Sequence, residues 1–257
     1  MSRFSNLELD EKFDDLETAP AIVKDEAFYL REAEAAFHEA DFEKALRFYA
    51  KVLEFNPQNA LAWTGQVRML VELEEFKEAK VWADKALERF PHEPELLAAK
   101  AVALGRLGDF KNAMAFSDAA VMERGDTPYI WLARGDVLLS HKEKRAQYCF
   151  DKAVVCAPTS WVAPWLVSRI YYYYRQFALA LRHIRVALSL DEGQAVIWLH
   201  MGHCQAELGL LQYAWSSYDQ AWQLNPNYLE ARQAMAQLSQ AGFWTSLRAR
   251  FKSLFYS

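Results

Sequence analysis

Small residues recur along the chain at a nearly constant interval. Ala45, Ala79, Ala113, Ala146, Ala180 and Ala214 follow one another at 34, 34, 33, 34 and 34 residues. A second ladder runs seven residues behind, through Val52, Ala86, Ala120, Ala153, Ala187 and Ala221. A third passes through Ala33, Val67, Ala101, Gly135, Ser168 and Gly202, with its 33-residue step one interval later. A single deletion therefore lies between Gly135 and Ala146, in the turn of the fourth period. Within each period the apolar pattern reads as two helices. Glu26 to Ala40 carries apolar residues at helical spacing, Asp41 opens a second helix, and Asn56-Pro57 closes it.

The small ladders mark where helices touch, because only a small side chain lets two backbones approach closely. Large residues fill the gaps: Trp63, Trp131 and Trp198 early in the first helix, Phe42, Phe76, Phe110 and Phe177 at the start of the second. Pro57, Pro91, Pro158 and Pro226 end units, since proline cannot continue a helix. Self-similarity at a period of this length is the mark of a stacked repeat array.

These residues resemble the tetratricopeptide repeat, a 34-residue hairpin with aromatic, Leu-Gly, aromatic, alanine and proline positions in a set order. The sixth unit matches best, through Trp198, Gly202, Gly209, Ala214, Tyr218, Ala221 and Pro226. The third unit departs with Leu97 and Gly125, and the fifth puts Pro164 at the aromatic site with Trp165 beside it. The resemblance implies an all-α, right-handed superhelical solenoid of six tandem helix-turn-helix repeats over residues 26–227, with C-terminal capping helices. Residues 228–242 read as the first cap, and residues 1–25 as an acidic tail. That tail reads as mobile, with a short docking helix through the apolar set Leu7, Leu9, Phe13 and Leu16 as the alternative.

The resemblance also implies a concave groove, lined by the first helices, that takes a partner peptide. Following the repeat register, the groove-facing set includes Arg31, Arg68, Arg106, Trp165, Arg169, Tyr172, Tyr173, His200 and His203, with Glu34, His38, Glu72 and Asp136 among them. Guanidinium groups beside exposed rings suit acidic or aromatic peptide segments. The alternative for each residue is an ordinary solvated helix face. In the run Tyr171 to Tyr174, the register assigns Tyr171 to packing, Tyr172 and Tyr173 to the groove, and Tyr174 to the turn. Some family members hold chaperone tails with a two-lysine, two-asparagine clamp. The corresponding positions here are Leu30, Glu34, Ala99, Tyr129 and Ala133, so that role is disfavoured.

Composition narrows the choice further. The 257 residues are 53% hydrophobic and 25% charged, enough for a packed core. A net charge of −5 argues against a general nucleic-acid binder. Cys149, Cys156 and Cys204 form no C-x-x-C pair and no even disulfide set, which fits reduced thiols in the cytoplasm. No secretory leader and no membrane span of ~20 apolar residues is expected. His200, His203 and Cys204 share a helix face, but a structural zinc site wants four ligands, so no metal and no cofactor is expected. No nucleophile elbow, phosphate loop or dinucleotide fingerprint is present in the sequence, so an enzyme is not expected.

Residues 243–257 differ in kind. Phe243, Trp244, Leu247, Phe251, Leu254 and Phe255 fall at helical spacing, and Arg248, Arg250 and Lys252 supply the charge. This basic amphipathic helix can cap the array, bind a partner or another copy, or touch a membrane surface. Capping is the expectation. The function these observations favour is a protein-binding adaptor; the alternatives are a self-associating structural subunit and a peripheral membrane scaffold.

Overall fold

The computed structural model describes residues 24–124 and 127–239. Twelve helices follow in order: α1 (Glu26–His38), α2 (Phe42–Phe55), α3 (Ala60–Glu72), α4 (Phe76–Arg89), α5 (Pro94–Arg106) and α6 (Phe110–Arg124), then α7 (Pro128–Ser140), α8 (Ala146–Cys156), α9 (Val162–Tyr173), α10 (Phe177–Leu190), α11 (Ala195–Glu207) and α12 (Leu211–Leu224). Residues 229–239, labelled α13, are also helical, and no strand occurs among the described residues. The chain is an all-α solenoid of helical hairpins. The stripe of Leu7, Leu9, Phe13 and Leu16, Gly125, and the C-terminal segment 243–257 lie outside the described residues.

Each hairpin turns in the same way. One residue per turn sits in the left-handed region: Ala40, Glu74, Gly108, Lys142, Arg175 and Gly209, with φ between 57° and 87°. The amide of the next residue donates to a carbonyl five residues back, at 2.9 Å in all six turns, as from Asp41 to Ala36 and from Gln176 to Tyr171. This bond satisfies a carbonyl that the ending helix would leave bare. The left-handed series is spaced at 34, 34, 34, 33 and 34, which narrows the deletion to the stretch between Lys142 and Ala146. The other second helices begin three residues before their ladder alanine, whereas α8 begins at Ala146 itself. The lost residue shortens that helix and leaves the packing register intact.

The ladders lie in the contacts between helices. All members of the first two are at most 2% exposed. In the third, a Cβ on Gly135 would lie 2.3 Å from the Phe150 ring, and one on Gly202 would lie 2.5 Å from the Tyr218 ring. Glycine there is a steric requirement of the hairpin contact. The first helices α3, α5, α7, α9 and α11 each bury seven to nine residues, whereas the second helices α2, α4, α8, α10 and α12 bury three to five. First helices thus form the inner layer and second helices the outer one.

The array also winds back on itself. Phe37 on α1 and Phe42 on α2 pack on Trp165 of α9, with ring centroids 5.6 and 6.5 Å apart, and His38 lies 5.5 Å from Trp161. The first hairpin therefore meets the fifth. Arg169 on α9 reaches α3, donating to Glu72 from Nε at 2.9 Å and lying 2.8 Å away through Nη2. Further along, the Tyr228 hydroxyl donates to the Glu39 carbonyl. Stacking of neighbours alone does not demand such contacts.

Candidate functional site

The inner helices surround a central cavity of about 210 Å³. Arg68 and Glu72 reach it from α3, Arg106 from α5, Tyr129 and Asp136 from α7, Arg169, Tyr172 and Tyr173 from α9, and His200 and His203 from α11. All of these except Tyr129 belong to the set that the register assigned to the groove. Arg31 is exposed on α1 and does not line the cavity. Trp165, read as an exposed groove ring, is fully buried beneath Phe37 and Phe42. The contact between first and fifth hairpins places it there. His200 is buried too, at 6% exposure.

The three cavity arginines are held very differently. Arg106 donates from Nε and Nη2 to the two oxygens of Asp136, at 2.9 and 2.7 Å, and its guanidinium lies 3.4 Å from the Tyr173 ring centroid. Both side chains of this pair are at most 7% exposed. Burial opposes the charge on Arg106, but the Asp136 carboxylate overrides it and raises the pKa. Arg169 is tied to Glu72 and lies 4.5 Å over the Phe42 ring. Arg68 is held more loosely, 3.8 Å from Glu95 and stacked 3.9 Å from the Tyr129 ring. Two arginines expected to meet a partner are therefore committed to internal pairs.

Some of the cavity's chemistry was not readable from the register. Tyr174 caps the end of α9, as its turn assignment implies, yet its hydroxyl also donates to Asp136 at 2.8 Å. Burial, and then the Asp136 charge, push that phenol's pKa up. Tyr129 supplies the ring under Arg68, and no spacing in the sequence points to that stack. Tyr171 is buried, as its packing assignment required, and donates to Gln147 at 2.7 Å.

The histidine pair diverges. His200 Nε2 lies 3.9 Å from Cys204 Sγ, whereas His203 Nε2 lies 3.6 Å from Glu230. Burial pushes the Cys204 thiol up to about 12, which keeps it protonated at neutral pH. Burial, and then Arg169, hold His200 well below the usual histidine range. Among the described residues no group of three His, Cys, Asp or Glu side chains is placed to hold a metal ion. No described helix is long and apolar enough to cross a membrane.

Beside the cavity, α1, α3 and α5 frame a wider opening of about 660 Å³. Phe37, Arg68 and Met69 line both spaces, so Arg68 stands at their junction. Thr64, Glu34, His38, Glu93 and Glu95 are among the opening's polar lining. The Thr64 hydroxyl is buried there without a hydrogen-bond partner among the described residues.

A family model described as tetratricopeptide repeat matches residues 5–160. The chain belongs to the tetratricopeptide repeat family. Among curated proteins, this array is similar to BBSome complex member BBS4 of Bos taurus, 21% identical over 245 residues. The match covers 90% of this chain and 47% of that protein, so the chain spans about half the length of the relative. Among solved structures, similarity extends to a chain of the APC/C hetero-tetramer Cut9-Hcn1, at TM-score 0.49 and 14% identity, covering 83% of this chain and 43% of that one. It extends also to YrrB, titled a tetratricopeptide repeat protein with an unusual peptide-binding site, at 0.42 and 19%, covering 72% and 96%. The first tetratricopeptide repeat domain of Spaghetti (RPAP3), bound to an HSP90 peptide, scores 0.39 at 23%, covering 44% and 91%.

Proposed function

We propose that this tetratricopeptide array is a protein-interaction scaffold that seats a partner segment in the opening framed by α1, α3 and α5. The observation that carries the reading is Arg68, which stands between that opening and the central cavity with a 3.8 Å pairing distance, against 2.7 Å for Arg106 and 2.8 Å for Arg169. A guanidinium so placed has donors to offer, and the Tyr129 ring beneath it holds the plane in position. Glu34, Glu93 and Glu95 nearby disfavour a run of acidic residues. The partner suited to this site is a largely apolar segment with one acidic or aromatic side chain directed at Arg68. Arg106 and Arg169 hold the scaffold's shape and leave recognition to Arg68.

Arg68→Gln keeps most of the stem and removes the charge. It is expected to weaken binding of a partner purified from the native host about tenfold, near 1.4 kcal/mol, with the far-ultraviolet circular dichroism unchanged. Val155 on the outer helix α8 is 70% exposed, and Val155→Glu is expected to leave binding intact. Binding that survives the first change and falls with the second would remove the groove from consideration.

A second reading, a subunit of a larger assembly, is favoured by the curated relative that is named as a member of a complex. In that case sedimentation of the purified chain should give the monomer mass, and sedimentation of the native extract a much larger one. Monomer mass in both settings would dismiss this reading.

A further inference from the structure

At the N-terminal end of the array, no preceding hairpin covers α1 and α2 among the described residues. Their outward face holds a cleft of about 780 Å³ floored by Phe28, Tyr29 and Phe48. The Tyr29 ring lies 6.0 Å from Phe48 and 5.7 Å from Phe55, and Phe55 is 55% exposed. Four cations rim this apolar floor, Lys24, Lys44, Arg47 and Lys51, against two carboxylates, Glu32 and Glu54. A solvated end face has no need of such a floor, and water on those rings is unfavourable.

We infer that this cleft seats the segment 7–17 of the same chain, through the apolar and acidic pattern of its sequence. Leu9, Phe13 and Leu16 fall at i, i+4 and i+7, one apolar stripe of a helix. Asp10, Asp14 and Glu17 run beside that stripe at the same spacing. The segment carries six acidic residues and one lysine, the opposite balance to the cleft rim. Its apolar stripe and flanking carboxylates therefore match both the floor and the rim.

The tether favours this occupant over any other. Residues 18–23 separate Glu17 from Lys24, and Lys24 itself lines the cleft. Such a linker spans at most about 20 Å, which holds the segment at an effective concentration of order millimolar. The family match begins at residue 5 and so takes in the segment together with the hairpins. The docked stripe does for the first hairpin what each hairpin does for the next, covering an apolar face that it cannot bury alone.

Amide hydrogen exchange on the full chain tests this. Arg47 and Lys51 are exposed, so Arg47→Glu with Lys51→Glu reverses the rim without disturbing the core. Residues 7–17 are expected to exchange at least tenfold faster in that variant than in the unaltered chain, with residues 60–224 unchanged. Adding Asp10→Lys and Asp14→Lys is expected to restore the protection. Equal exchange of residues 7–17 in the unaltered chain and the rim variant overturns the inference. Protection that grows with protein concentration overturns it too, by assigning the cleft to a second copy.

Discussion

Replacing Asp136 with alanine is expected to destabilise the array by about 3–5 kcal/mol, the usual cost of orphaning one member of a buried ion pair. Asp136 accepts two hydrogen bonds from Arg106 and one from Tyr174, and it is 3% exposed. Without it the guanidinium stays buried between the Tyr173 and Tyr174 rings with its charge uncompensated. In a chain of this size each kcal/mol moves the midpoint by roughly 2–4 °C, so a fall on the order of 10 °C should appear in thermal melts. Changing Arg106→Met together with Asp136→Leu should recover much of the loss, because the charge and its partner leave together. A single variant that melts with the unaltered chain would show that the pair is solvated and contributes little.

The second large effect is expected at Ala214. Its side chain is fully buried in one core cluster with Leu199, Tyr218, Ala221 and Ala231, where α11, α12 and α13 meet. Ala214→Arg adds volume to a filled contact, at about 1–3 kcal/mol, and forces a charge into an apolar setting at several kcal/mol more. Loss of the helical signal from the last hairpin, or a fall in the melting midpoint beyond that of Asp136→Ala, is the expected readout. An unchanged melting curve would mean that the ladder alanines do not mark helix contacts.

These two experiments address different kinds of knowledge. Ala214 belongs to a ladder legible in one dimension, because a stacked hairpin must place a small residue at each close approach. The same logic carried Ala45 to Ala180, Gly135 and Gly202, and it correctly gave Tyr171 to packing. Asp136 was legible only as a residue facing the groove. Its bond to Arg106 links neighbouring first helices, and the register gave no sign that the two would neutralise each other.

Trp165 and Arg169 mark where sequence reasoning stopped. A repeat register assigns each side chain to a face of its own hairpin, as though the array were open along its length. Whether distant hairpins meet depends on small rotations between neighbours, accumulated over several repeats, and no local pattern encodes that sum. Here the first and fifth hairpins do meet, so Trp165 became core and Arg169 found Glu72, 97 residues away. By itself the sequence determined the hairpins and their stacking register, since helix period and close packing act locally. Only the tertiary structure decided which inward residues pair with one another and that Arg68 is left the most loosely held, because those contacts join parts of the chain that meet only once the array has wound back on itself.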